Sequence, residues 1–257
     1  MSDPVTPDPW EGLRSLTQAR IALGRAGAGV PTRRLLEFQM AHARAAKAVH
    51  LELDAEALAV RLRGLGLATL VADSRASDRR AHLTRPDLGR RLSAASRAAL
   101  GPIECDLALV VGDGLSAPAV EANAEPFLSA LLPGLEGWTL GPCVVARRAR
   151  VALGDEVGEA LGARMVLVAI GERPGLSAPD GMGVYLTWAP RVGTTDEARN
   201  CISNIRPAGQ SPAAAARTAL WLMREARTRR LTGVTLKDDA PVSSIGRGAG
   251  SFLAPPG

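Results

Sequence analysis

Residues 107–116 read Leu-Ala-Leu-Val-Val-Gly-Asp-Gly-Leu-Ser, and residues 165–176 read Met-Val-Leu-Val-Ala-Ile-Gly-Glu-Arg-Pro-Gly-Leu. Each is a short unbroken apolar run that stops at glycine beside a carboxylate. Such runs fit strands buried on both faces, as in a parallel sheet. The same texture continues around them. Ala117–Leu132 reads as a helix, Cys143–Ala146 as a short strand, and Gly154–Leu161 as a helix with Asp155 near its start. Val184–Thr187 is a further strand and Pro212–Arg229 a long Ala-rich helix. Strands alternating with helices predict a Rossmann-like α/β fold, a mostly parallel sheet flanked by helices.

Upstream the pattern is helical. Leu13, Leu16, Ala19 and Leu23 share one helix face, and the stretch GRAGAGVP at 24–31 ends that helix. Thr32 can cap a second helix running to His50, and Asp54 a third. The expected organisation is a flexible tail over 1–10, a small helical domain over 11–64, an α/β ligand-binding domain over 65–240, and a Ser/Gly/Pro-rich disordered tail over 241–257.

Composition narrows the function classes. With 257 residues, 46% hydrophobic and 22% charged, the chain can bury a sizeable core. It contains no apolar run of about 18 residues, so no membrane helix is expected. The opening Met-Ser-Asp-Pro-Val-Thr-Pro-Asp-Pro has no apolar signal core, which predicts a cytoplasmic protein. The net charge is +5, and all the bases except Lys47 and Lys237 are arginines. Aromatics at 3% are too few for the basic, aromatic-interleaved surface of a nucleic-acid binder. The cysteines (Cys105, Cys143, Cys201) and histidines (His42, His50, His82) form no CxxC, HxxxH or HExxH, so neither a metal site nor a disulfide framework is expected. No GxGxxG, phosphate-binding lysine loop or GxSxG is present.

The candidate chemistry lies elsewhere. In an open α/β sheet, ligands occupy the crevice outside the carboxyl ends of the strands. Asp113 and Glu172 both stand there, each next to a glycine that lets backbone approach a ligand. Gly and Asp are also ordinary turn residues, so one such turn carries little; two at one edge carry more. Pro86 with Asp87 marks a helix start inside HLTRPDLGRRL at 82–92. Residues 200–207, NCISNIRP, read as a polar loop dense in donors and acceptors, although Cys201 taken alone reads first as a small buried hydrophobe.

Five motifs then occur in order across residues 16–207: LTQARIALGRAGAGVPT at 16–32, HLTRPDLGRR at 82–91, DGLS at 113–116, GERPGL at 171–176 and CISNIRP at 201–207. Together they resemble the small subunit, or light chain, of ethanolamine ammonia-lyase, an adenosylcobalamin-dependent enzyme of ethanolamine breakdown. The resemblance implies a large TIM-barrel subunit that holds ethanolamine, with the small subunit closing over the cobalamin from the other side. It implies radical chemistry begun by homolysis of the cobalt–carbon bond, yielding acetaldehyde and ammonia. The cofactor carries that chemistry, and protein supplies binding, orientation and exclusion of water. This chain would hold no catalytic acid, base or nucleophile.

The family's cofactor contacts carry over onto Val151, which follows the basic stretch Arg147-Arg148-Ala149-Arg150, onto Glu172 of GERPGL, and onto Cys201 of CISN. Glu172 suits the NH groups of corrin amides. Cys201 is not expected to ligate cobalt. The DxHxxG motif, which supplies a histidine to cobalt in many cobalamin proteins, is missing, so the cofactor is expected to keep its own benzimidazole. The family is linked to bacterial microcompartments, but only about ten proline-punctuated residues precede the first expected helix, which speaks against targeting through this chain. The alternative is a stand-alone α/β ligand-binding or sensor module without catalysis.

Overall fold

In the computed structural model, which describes residues 5–239, the apolar runs join a six-stranded mixed sheet. The strands are β1 Thr69–Asp73, β2 Leu107–Gly112, β3 Cys143–Arg147, β4 Met165–Gly171, β5 Met182–Trp188 and β6 Arg199–Ile205. The helices are α1 Thr32–His50, α2 Ala55–Arg63, α3 Arg79–Thr84, α4 Pro86–Gly89, α5 Ala94–Ala98, α6 Ala117–Leu131, α7 Leu153–Leu161 and α8 Pro212–Arg229. The strand order is β1-β3-β2-β4-β5-β6. The first four neighbours pair parallel, and β5 is antiparallel to both β4 and β6. Hence β6 runs with β1–β4, and one sheet edge collects the carboxyl ends of five strands.

Every residue of β2 and β4 is buried, as strands covered on both faces require. Their side chains alternate between two cores. Leu107, Leu109 and Val111 of β2 and Leu167 of β4 join Leu58 and Leu62 of α2, Phe127 of α6 and Met223 of α8. Ala108, Val110, Val166 and Val168 join Leu153, Val157 and Leu161 of α7 on the opposite face. Asp54 caps α2, its Oδ1 accepting from the Ala57 N–H at 2.9 Å, and Ser116 and Ser211 cap α6 and α8 in the same way.

Three expectations need correction. Residues 13–23 form no continuous helix: Glu11–Ser15 is a single 3₁₀ turn and Ala22 has a positive φ of 48°. Leu16 is 66% exposed, so the supposed apolar face is not buried as a unit among the described residues, and packing is what sustains short helices. Thr32 is the first helical residue, not the cap; Pro31 holds the cap position without a side-chain bond. Residues 200–205 are not a loop but most of edge strand β6. Met182 pairs with Ile205 while Val184 pairs with Ile202, so β6 carries one residue more than β5 between those points. That bulge spaces the apolar residues by three, not two, and hides the strand period.

Of the expected N-terminal tail, Thr6 exchanges backbone hydrogen bonds with Arg25 at 2.8 and 3.0 Å. The expected C-terminal tail from 241, like residues 1–4, lies outside the described residues.

Candidate functional site

The two carboxylates at the shared edge sit in different surroundings. Gly114, at φ 52°, and Gly171 bring the turns after β2 and β4 into backbone contact, and the Leu115 N–H donates to the Gly171 carbonyl at 3.0 Å. Asp113 is 1% exposed beneath this contact. Its Oδ2 pairs with Arg79 Nη1 at 2.9 Å and its Oδ1 accepts from the Ala149 N–H at 2.8 Å. Arg79 also donates to the carbonyls of Val49 and Gly114. His82 lies fully buried beside them, its ring nitrogens 2.7 Å from the Arg148 carbonyl oxygen and 2.9 Å from that of Gly114. Burial, with the Arg150 and Arg79 charges, pushes its pKa down to about 4. Asp113, Arg79 and His82 thus clamp α3 to the turns after β2 and β3.

Glu172 is half-buried at the end of β4. Its backbone N–H donates to the Gly181 carbonyl at 3.0 Å. Its carboxylate accepts the Asn204 N–H, at 3.1 and 3.2 Å from the two oxygens. Asn204 belongs to the bulged part of β6 and has φ 57°, so the bulge that hid the strand also aims this N–H at Glu172. Gly183 lies against both Glu172 and the Tyr185 ring.

Tyr185 ties the expected residues together. It is the register partner of Cys201, and its phenol and the Cys201 thiol stand close enough to perturb each other's protonation. Burial holds the phenol well above its ordinary pKa, with Cys201 and Glu172 adding to the shift. Cys201 is exposed, not the small buried hydrophobe its residue type suggests, yet partial desolvation of the thiol still raises its pKa, opposed by the Tyr185 hydroxyl and helped by the Glu172 charge. Both groups are therefore neutral near pH 7, and Cys201 is no ready thiolate. Tyr185 and Val151 line one cleft of about 670 Å³, together with Pro86, Arg90, Arg150 and Thr194. Glu172 and Cys201 do not line it; they flank Tyr185. Tyr185, the sole tyrosine of the chain, went unread in the sequence because inside an apolar strand it looks like packing.

The wall beside Val151 is cationic. Arg150 donates from Nη2 to the His82 carbonyl at 3.0 Å, and its Nε is buried with no partner among the described residues. Burial and the charges of Arg79, Arg90 and Arg173 lower its pKa. Among the described residues no group of three or more His, Cys, Asp or Glu is placed to hold a metal ion. What the site offers is acceptors, neutral donors and guanidinium groups, with no nucleophile or base poised on another group.

The family model for the ethanolamine ammonia-lyase light chain (EutC) matches residues 7–237. A protein of Ralstonia nicotianae named ethanolamine ammonia-lyase small subunit is 54% identical over 97% of this chain and 95% of its own length. Proteins of the same name from Azotobacter vinelandii, 54% identical over 98% of both chains, and Bradyrhizobium diazoefficiens, 56% identical over 93% and 95%, are equally similar. The chain belongs to the ethanolamine ammonia-lyase light chain family.

Proposed function

We propose that this chain is the small subunit of an ethanolamine ammonia-lyase, which binds adenosylcobalamin at the carboxyl edge of its sheet. A large subunit would cover the cofactor from the other side and hold ethanolamine for its radical conversion to acetaldehyde and ammonia. The observation that carries this reading is the Glu172–Tyr185–Cys201 cluster beside the cleft of Val151. It offers a carboxylate acceptor and neutral hydroxyl and thiol groups, with the Arg150 and Arg90 guanidinium groups in the adjoining cleft.

The residues present fit a corrinoid. Glu172 shares the Asn204 N–H between its two oxygens and can receive amide N–H groups on the lone pairs directed away from it. Tyr185 offers a neutral hydroxyl and a ring wall, and Val151 an apolar contact. Cys201, held as the thiol, presents a small surface and not a cobalt ligand. Adenosylcobalamin, held by Glu172, Tyr185, Val151 and Cys201, would supply a homolytically cleavable cobalt–carbon bond. The protein's part is to orient the corrin and exclude water.

The same reading accounts for the N-terminal region. A cleft of about 670 Å³ suits a drug-sized ligand and is too small to enclose a whole corrinoid with its nucleotide, so a second chain must supply the remaining cover. Trp10, Leu16, Leu36 and Met40, from the arm and α1, are all more than half exposed, and an apolar surface of this kind marks a protein interface. No helix of the described residues is long and apolar enough to cross a membrane, and the reading places the complex in the cytoplasm.

The test is reconstitution. Mixed in the dark with the large subunit, adenosylcobalamin and ethanolamine, this chain should restore acetaldehyde formation. No turnover with a large subunit known to be competent would favour a stand-alone sensor module.

A further inference from the structure

Two guanidinium groups, those of Arg150 and Arg90, line the cleft beside the turn that carries Val151, Arg173 lies within electrostatic reach of Arg150, and none of the three pairs with a carboxylate among the described residues. Arg150 lies in the turn itself, Arg90 follows α4 across the cleft, and Arg173 follows Glu172. The other cations nearby are neutralised within the chain. Arg91 pairs with Glu156 at 2.9 Å, Arg85 with Asp87 at 2.7 Å, and Arg199 with both Asp155 and Asp196. The carboxylates of the wall, Asp87 and Asp196, are therefore already engaged, and the surplus is positive. Within Arg150 the Nε is buried and the Nη2 is held by the His82 carbonyl, which leaves Nη1 neither buried nor bonded among the described residues and able to meet an acceptor. Val151 and Ala152, which lead into α7, line the same cleft, so the positive end of that helix dipole adds to the field.

We propose that Arg150, assisted by Arg90 and Arg173, seats a phosphodiester anion. The proposal rests on the cobalamin reading above. A cobalamin that keeps its benzimidazole tethers that base to the corrin through a phosphodiester, the one negative charge on a ligand otherwise edged with neutral amides. A planar guanidinium matches phosphate oxygens in a fork and binds them by charge-assisted hydrogen bonds. The seat gives the site its polarity. Arg150 takes the nucleotide loop on one side of Tyr185, and Glu172 takes corrin amides on the other.

The test uses the two-subunit complex and two corrinoids, titrated by the absorbance change of the corrin, with no turnover required. Cyanocobalamin carries the phosphodiester; dicyanocobinamide lacks the nucleotide loop. Arg150→Met should weaken cyanocobalamin binding by about 10- to 100-fold, the scale of a hydrogen bond to a charged group. It should leave dicyanocobinamide within about twofold of the wild-type value on the same scale. Arg150→Lys should fall between, and Arg90→Gln should show the same selective loss in smaller measure, which keeps the test open if Arg150→Met fails to assemble. Equal losses for both corrinoids, or none for either, would overturn the phosphate seat. A wild-type complex that binds the two equally well would overturn it while leaving the cofactor reading intact. A wild-type complex that binds neither would remove the cofactor reading and the seat with it.

Discussion

Asp113 and Glu172 end neighbouring strands at the same sheet edge, each beside a glycine, yet the protein uses them in opposite ways. Asp113 is buried and consumed: Arg79 takes one oxygen and the Ala149 N–H the other. Glu172 is half-buried, and the described residues give its carboxylate one hydrogen-bond donor, the Asn204 N–H. A carboxylate whose partners are all internal holds the loops; one with lone pairs left over can hold a ligand. The distinction lies in the neighbours. Arg79 arrives from α3 and closes the first site, while Gly181 and Gly183 leave the second open, since a Cβ at either would press on Glu172.

The largest effect should come from breaking the closed side. Asp113→Asn leaves Arg79 buried without its counter-charge and should cost about 3–5 kcal/mol of folding stability, read from the denaturant midpoint. Next comes His82, in the same clamp. Its folded pKa of about 4 lies below the ordinary 6.5, so the unfolded chain takes up the proton first as pH falls. The stability due to neutral His82 is full above pH 6.5 and is lost progressively as pH falls from there through 4, by at most about 3 kcal/mol, since the two carbonyls on its ring nitrogens favour the protonated form. Denaturation at pH 7.5 and 4.5 should show that loss, and His82→Gln should flatten its share of it. On the open side Glu172→Gln should leave stability within about 1 kcal/mol of the wild type. If instead it destabilises as much as Asp113→Asn, the contrast between the two ends is wrong. Smallest of all, Cys201→Ala should change cobalamin affinity by less than about 1 kcal/mol, because the neutral thiol offers only contact. A tenfold loss in titration would give that sulfur a direct part.

The sequence made the interior of the fold readable and the edges obscure. β2 and β4 are apolar throughout because both faces are covered, so each shows as an unbroken run. β1 sits at one edge of the sheet and mixes exposed with buried positions over only five residues. β6, at the other edge, carries a bulge that replaces the two-residue period with a spacing of three. The site was legible in the same uneven way. Glu172 stands out at a strand end, whereas Val151 is an ordinary apolar residue until the cleft is seen, and it came only through family resemblance. Tyr185 and Arg150 were missed outright. One looks like strand packing and the other is one among many arginines, and only three-dimensional placement shows that Arg150 lacks a counter-charge.

The Asp113 end of the sheet edge is closed by the fold, while the Glu172 end has acceptor capacity left for the proposed cofactor. The measurement that meets this contrast most directly is titration of adenosylcobalamin into wild-type and Glu172→Gln two-subunit complexes, with assembly followed by size exclusion. Glutamine keeps the shape and one acceptor but loses the charge, so affinity should fall by about 1–3 kcal/mol, roughly 5- to 150-fold, with an unchanged elution profile. Wild-type affinity in an intact complex would take Glu172 out of the site. Failure to assemble would make it structural, like Asp113, and contradict the account.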